Sequence, residues 1–135
     1  MQKHAQLFID YMNENEIKYT EQKDNVLKVA FNGENIDSIS VFVFFDKEGA
    51  PMVQFKCWEI MNFKGNREKA VEICNTLNCE YRWITFCVDS DLDIIASIDA
   101  YLDANSCGKM CMDYVFRMIS IIDEAYPKIA KARWA

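Results

Sequence analysis

Apolar residues recur at helical spacing in three stretches of the chain and at strand spacing in five others. Between Lys3 and Asn15, Ala5, Phe8, Ile9 and Met12 follow i, i+3, i+4, i+7 and so share one helix face, widened by Leu7 and Tyr11. The polar run Asn13 to Glu16 ends that helix, Ile17 to Thr20 is read as extended, and Lys23-Asp24-Asn25 as a polar turn. Three strands are then predicted, over Val26 to Asn32, Ile36 to Asp46 and Met52 to Phe63. In the first, Leu27, Val29 and Phe31 alternate with Lys28 and Ala30. In the second, Ile39, Val41, Val43 and Phe45 alternate with Ser40, Phe42 and Phe44, so both of its faces carry apolar residues. The connections around Gly33 and Gly49 are too short to hold a helix, which favours antiparallel hairpins.

After Gly65, Asn66 is placed to cap a second helix running to about Asn78, with Ala70, Ile73, Cys74 and Leu77 on its apolar face and Glu68 in its first turn. Tyr81 to Asp89 and Leu92 to Leu102 predict two further strands. In the latter, Leu92, Ile94, Ala96, Ile98, Ala100 and Leu102 alternate with more polar neighbours, the pattern of a strand buried on one side. Asn105 or Ser106 opens the last and longest helix, whose stripe runs from Cys107 to Ala125. Pro127 is expected to interrupt it, leaving Lys128 to Ala135 as a further turn or a loose tail. The expectation is a single α+β domain over 1–135. It has an antiparallel five-stranded sheet and three helices in the order α-β-β-β-α-β-β-α.

Composition narrows the function more than the fold. In 135 residues, 51% are hydrophobic and 27% charged, which suits one self-sufficient core. A net charge of −6 disfavours a nucleic-acid backbone as the main ligand. No apolar run approaches the roughly 20 residues of a membrane span, and Asp10 cuts short the only early one. The expectation is therefore a cytoplasmic protein with no leader and no membrane contact.

Candidate chemistry is sparse. The single histidine, His4, lies near the N-terminus and is expected to be solvent-exposed and inert. The six cysteines, Cys57, Cys74, Cys79, Cys87, Cys107 and Cys111, lack a C-x-x-C pair. They are read as reduced core residues, not a metal or redox site. Asp89, Asp91 and Asp93 resemble a calcium loop in spacing but lack its turn glycine and closing glutamate, so they read as a solvated turn. Four glycines at 33, 49, 65 and 108 cannot form a phosphate loop. No cofactor, metal or catalytic residue is expected.

The remaining signal is an excess of apolar surface. Phe42, Phe44, Trp58 and Trp83, with a methionine-rich last helix, exceed what one covered sheet face requires. Either helices cover both faces, or a second subunit or a partner segment covers part of the sheet, with those four residues as candidate partner-binding groups. An alternative is a small apolar ligand held between sheet and helices by Trp83, Phe86 and Tyr114.

Three features resemble the YbjN family, described as bacterial sensory transduction regulators. They are the opening helix followed by Glu16-Ile17-Lys18-Tyr19, the meander with its Asn32-Gly33 and Gly49-Ala50-Pro51 turns, and the closing Met118 to Pro127 segment. That resemblance implies a fold similar to type III secretion chaperones, no catalytic residues, and a regulatory or chaperone-like role exercised through protein contacts, often as a homodimer. A shared fold does not by itself establish the activity.

Overall fold

The computed structural model describes residues 1–135. The elements in chain order are α1 (Lys3–Glu14), β1 (Thr20–Lys23), β2 (Val26–Phe31), β3 (Ile39–Phe45), β4 (Met52–Asn62), α2 (Arg67–Glu80), β5 (Thr85–Val88), β6 (Asp93–Tyr101) and α3 (Cys107–Trp134). The sheet order is β1-β2-β3-β4-β6-β5, antiparallel throughout.

The sheet has six strands where the pattern predicts five. The additional one, β1 (Thr-Glu-Gln-Lys), is exposed at every position. It pairs with β2 through its main chain. A strand with no buried face has no hydrophobic alternation, so its sequence carries no strand signal. At the opposite edge, β5 begins only at Thr85 because Trp83 adopts a left-handed backbone conformation (φ 71°) that breaks the extended chain.

The three helices lie side by side on one face of the sheet, α3 in the middle with α1 and α2 against it. Ile39, Val41, Val43 and Phe45 of β3, Val53 and Phe55 of β4, and Ile94, Ala96 and Ile98 of β6 are all buried beneath them. The alternate residues of the same strands face away from every helix. Coverage of both faces by helices is therefore not how this chain disposes of its apolar residues. Side-chain capping sets two helix starts: the Gln2 carboxamide accepts from the His4 and Ala5 N–H groups, and Asn66 Oδ1 accepts from Lys69 N–H at 3.1 Å.

Two expectations near the chain ends change. Pro127 lies inside α3, which continues to Trp134. A proline removes the hydrogen bond to the carbonyl four residues earlier. Here that carbonyl, of Asp123, accepts instead from Asn35 Nδ2 at 3.0 Å. The last turns are docked and not loose: Ile129 is buried, Lys128 Nζ bonds Glu80 at 2.6 Å, and Arg133 Nε donates to the Asn62 carbonyl at 2.8 Å. His4 is 6% exposed, in contrast to the solvated position expected, because it sits in the first turn of α1 on the side packed against the protein. Its Nδ1 has no hydrogen-bond partner.

Candidate functional site

The helix-free face of the sheet carries an aromatic cluster built from β3 and β4. Alternation on β3 turns Phe42 and Phe44 to this face, and the antiparallel register sets Phe42 opposite Lys56 and Phe44 opposite Gln54. Trp58, two residues beyond Lys56, lies with its ring centroid 4.9 Å from Phe42 and 5.6 Å from Phe44, edge-on to the latter. Lys28 Nζ is 5.9 Å from the Phe42 ring and Lys56 Nζ 5.6 Å from the Trp58 ring. Trp58 remains exposed, and Phe42 and Phe44 half-buried, with no part of the chain above them.

A β-bulge between Cys57 and Met61, with Glu59 in the left-handed region (φ 54°), bends β4 away from β3 just beyond this cluster. β3 stays paired to β2 from Ile39 to Phe44, but to β4 only from Phe42 to Phe45. The strands therefore part, opening a cleft of about 520 Å³ between Ser38–Ser40 and Trp58–Ile60. The Phe45 N–H bonds the Asn25 carbonyl. In an antiparallel ladder that fixes odd residues of β3 toward β2 and even ones toward β4, so the Ser40 peptide faces the cleft.

Asp89, Asp91 and Asp93 line the far end, with one carboxylate oxygen of each within 4.8 Å of the others. Their geometry is that of a self-bonded turn. Asp89 Oδ1 accepts from the Asp91 and Asp93 N–H groups, both at 3.0 Å, and Asp93 Oδ1 accepts from Asn62 Nδ2 at 2.9 Å.

The four residues expected to bind a partner do not form one patch. Phe42, Phe44 and Trp58 come together, whereas Trp83 projects on the helix side, 68% exposed, with its ring 6.4 Å from Tyr114 and the Arg117 guanidinium 5.0 Å above it. Trp83 and Tyr114 share a shallow opening of about 200 Å³ with Met110, Asp113 and Arg117. Phe86 is not one of its walls, because it is buried under Tyr81. Sequence reasoning overlooked Lys28 and Lys56, although their places in the alternation of β2 and β4 put them on the Phe42 face. It also had no means of locating the bulge that opens the cleft.

The cysteines are all free thiols. Cys57, Cys74, Cys107 and Cys111 are buried, while Cys79 and Cys87 are exposed, the correction being that these two stand outside the core. Cys87 alternates onto the helix-free face, and Cys79 lies on the outer side of α2. Burial pushes the Cys57 and Cys74 thiols up to about 11. Cys111 is pushed up strongly by its contact with Cys107 and by burial, and Cys107 is correspondingly lowered. The only convergence of three or more potential metal ligands is the aspartate turn. No helix is long and apolar enough to cross a membrane.

Against known proteins, residues 4–131 match the model of the YbjN family, described as "Putative bacterial sensory transduction regulator". The crystal structure of YbjN from E. coli, described as a putative transcription regulator, is similar at a TM-score of 0.62 over 89% of each chain, with 8% identity, a likeness of fold. No curated protein sequence matches the chain.

Proposed function

We propose that this chain, which belongs to the YbjN family, works as a non-catalytic protein-interaction module in the cytoplasm, with a regulatory or chaperone-like role. The observation that carries the reading is the helix-free sheet face with its clustered Phe42, Phe44 and Trp58. Aromatic groups clustered on an open face and flanked by lysine stems are the composition of an interface centre, where rigid rings bury large areas at small entropic cost. A second copy of the chain is the first candidate to cover it. Lys28 and Lys56 flank Phe42 in one cross-strand row, and the Asp89–Asp93 turn lies farther along the same face beyond Trp58, so a two-fold operation between the two positions sets unlike charges opposite one another.

Gel filtration with light scattering tests the dimer: the wild type is expected at twice the chain mass at micromolar concentration, and Phe42→Ala/Trp58→Ala at the monomer mass. A monomeric wild type removes the homodimer. The regulatory role is tested by pull-down from host extract with both proteins. Proteins retained by the wild type and released by the double variant are expected, and identical captures overturn the assignment of this face.

A further inference from the structure

Along its outer edges the sheet has a stretch that the fold leaves open beside stretches that are blunted. At the β1 side the outer strand is short, wholly polar and irregular in register, which discourages further pairing. At the β5 side the register places Thr85 opposite Ser97 and Cys87 opposite Ile95, so the outward peptide groups of β5 belong to Phe86 and Val88. Those of Phe86 are occupied by one side chain: Phe86 N–H donates to Asn78 Oδ1 at 2.7 Å, and Asn78 Nδ2 donates to the Phe86 carbonyl at 3.0 Å. The carboxamide of Asn78 thus stands where a further strand would bind.

Beyond Thr85 the situation reverses. β6 continues to Tyr101, but β5 pairs with it only from Ile94 to Ser97. Leu102 N–H bonds the Pro51 carbonyl at 2.7 Å, which directs even residues of β6 toward β4 and odd ones toward β5. The N–H and C=O groups of Asp99 and Tyr101 therefore point into the lane that β5 vacates. An unbroken β5 would set Trp83 opposite Asp99; the left-handed turn at Trp83 takes the chain out of that lane. On the helix side, the displaced Trp83 lines an opening of about 200 Å³ with Met110 and Tyr114 of α3. On the other face stands Tyr101, 70% exposed.

We infer that this vacated lane of the sheet is a strand-addition site for an extended, basic segment of a partner protein. The inference rests on reading the chain as an interaction module, and it assigns a second surface, separate from the Phe42–Trp58 face. Residues of the segment opposite Asp99 and Tyr101 pair with their main-chain groups. The residue between them points to the helix side and inserts an apolar side chain between Trp83 and Met110. The charge of the segment follows from the rim: Asp99, whose carboxylate accepts from Gln54 Nε2 at 2.9 Å, and Asp103 border the lane, so lysine or arginine beside the apolar residue is favoured, while Asp113 in the opening is already paired with Lys109 Nζ at 2.8 Å. Arg117, the cation of the opening, is laid over the Trp83 ring.

The test is panning of a random peptide library displayed on phage against the full chain, with Tyr101→Pro as comparison. The Tyr101 N–H points away from β4, so proline there removes a donor of the lane without breaking the β4–β6 ladder. Enriched peptides are expected to alternate basic and apolar residues, to lose at least tenfold in affinity for Tyr101→Pro, and to slow hydrogen exchange at the Asp99 and Tyr101 amides. Peptides that bind Tyr101→Pro unchanged, or no enrichment over it, overturn the inference. If binding is lost in Phe42→Ala/Trp58→Ala but not in Tyr101→Pro, the proposed function stands and this site falls. Should Tyr101→Pro fail to fold, Trp83→Ala and exchange on the wild type decide: undiminished affinity for Trp83→Ala, or bound peptide with unchanged exchange at Asp99 and Tyr101, overturns it.

Discussion

The side-chain amide of Asn35 donates to the main-chain carbonyl of Asp123 at 3.0 Å, taking the acceptor that Pro127 leaves vacant within α3. The Asp123 carboxylate reinforces this contact by accepting from the N–H groups of Glu34, Asn35 and Ile36 at 3.0, 2.8 and 3.2 Å. One helix position thus holds the whole β2–β3 connection. Gly33 is required there, because a Cβ would lie 2.4 Å from Asp123 Oδ1.

These donors hold the Asp123 carboxyl below the usual carboxylate range. A depressed pKa contributes stability that is fully present above the unfolded-state value, near 4, and is lost as pH falls through the folded-state value. Asp123→Ala is expected to melt below the wild type at pH 7, with the difference shrinking below about pH 4. Thermal denaturation of both proteins across pH checks this; a gap that stays constant down to pH 2 would exclude the linkage.

Gly108 marks the closest approach of α1 and α3. An added Cβ would meet Tyr11 Cβ at 2.4 Å, against backbone-anchored atoms that cannot rotate aside. Alanine is the better helix former by about 1 kcal/mol, yet Gly108→Ala is expected to destabilise by about 1–3 kcal/mol because overpacking outweighs propensity. Urea denaturation measures the sign, and a stabilised variant would show that the helices separate freely.

Asn78 shields the outer edge of β5. Asn78→Ala leaves the Phe86 N–H and C=O without their partner, a loss of about 1–3 kcal/mol where such groups are buried and less here, where the edge meets water. It also exposes a strand edge. The expected outcome is a lower denaturation midpoint together with concentration-dependent light scattering, absent from the wild type. A destabilised but monodisperse variant would limit Asn78 to a structural hydrogen bond.

Thiol accessibility separates the cysteines into two sets. Cys79 and Cys87 are exposed, whereas the other four are buried, and Cys57 and Cys74 are pushed up to about 11. Since the thiolate is the reacting species, a disulfide reagent at pH 8 is expected to modify two thiols of the native chain promptly and the rest only in denaturant. Prompt titration of more than two would reveal opening of the core.

The sequence by itself determined the three helices, five of the six strands and the antiparallel meander, because each of those elements buries one face and so repeats its apolar residues at a fixed period. It determined Asn66 as a helix cap and Phe42, Phe44 and Trp58 as residues with more apolar surface than a single core layer uses. Only the tertiary structure decided what carries no period. β1 is held by main-chain pairing with side chains all in water. α3 passes Pro127 because Asn35, distant in sequence, supplies the missing hydrogen bond. Trp83 parts from Phe42 because a left-handed backbone at one residue ends β5. All three helices gather on one face, leaving the aromatic cluster uncovered: local patterns state which face of each element is apolar, but the register between strands and the packing of helices decide which of those faces meet.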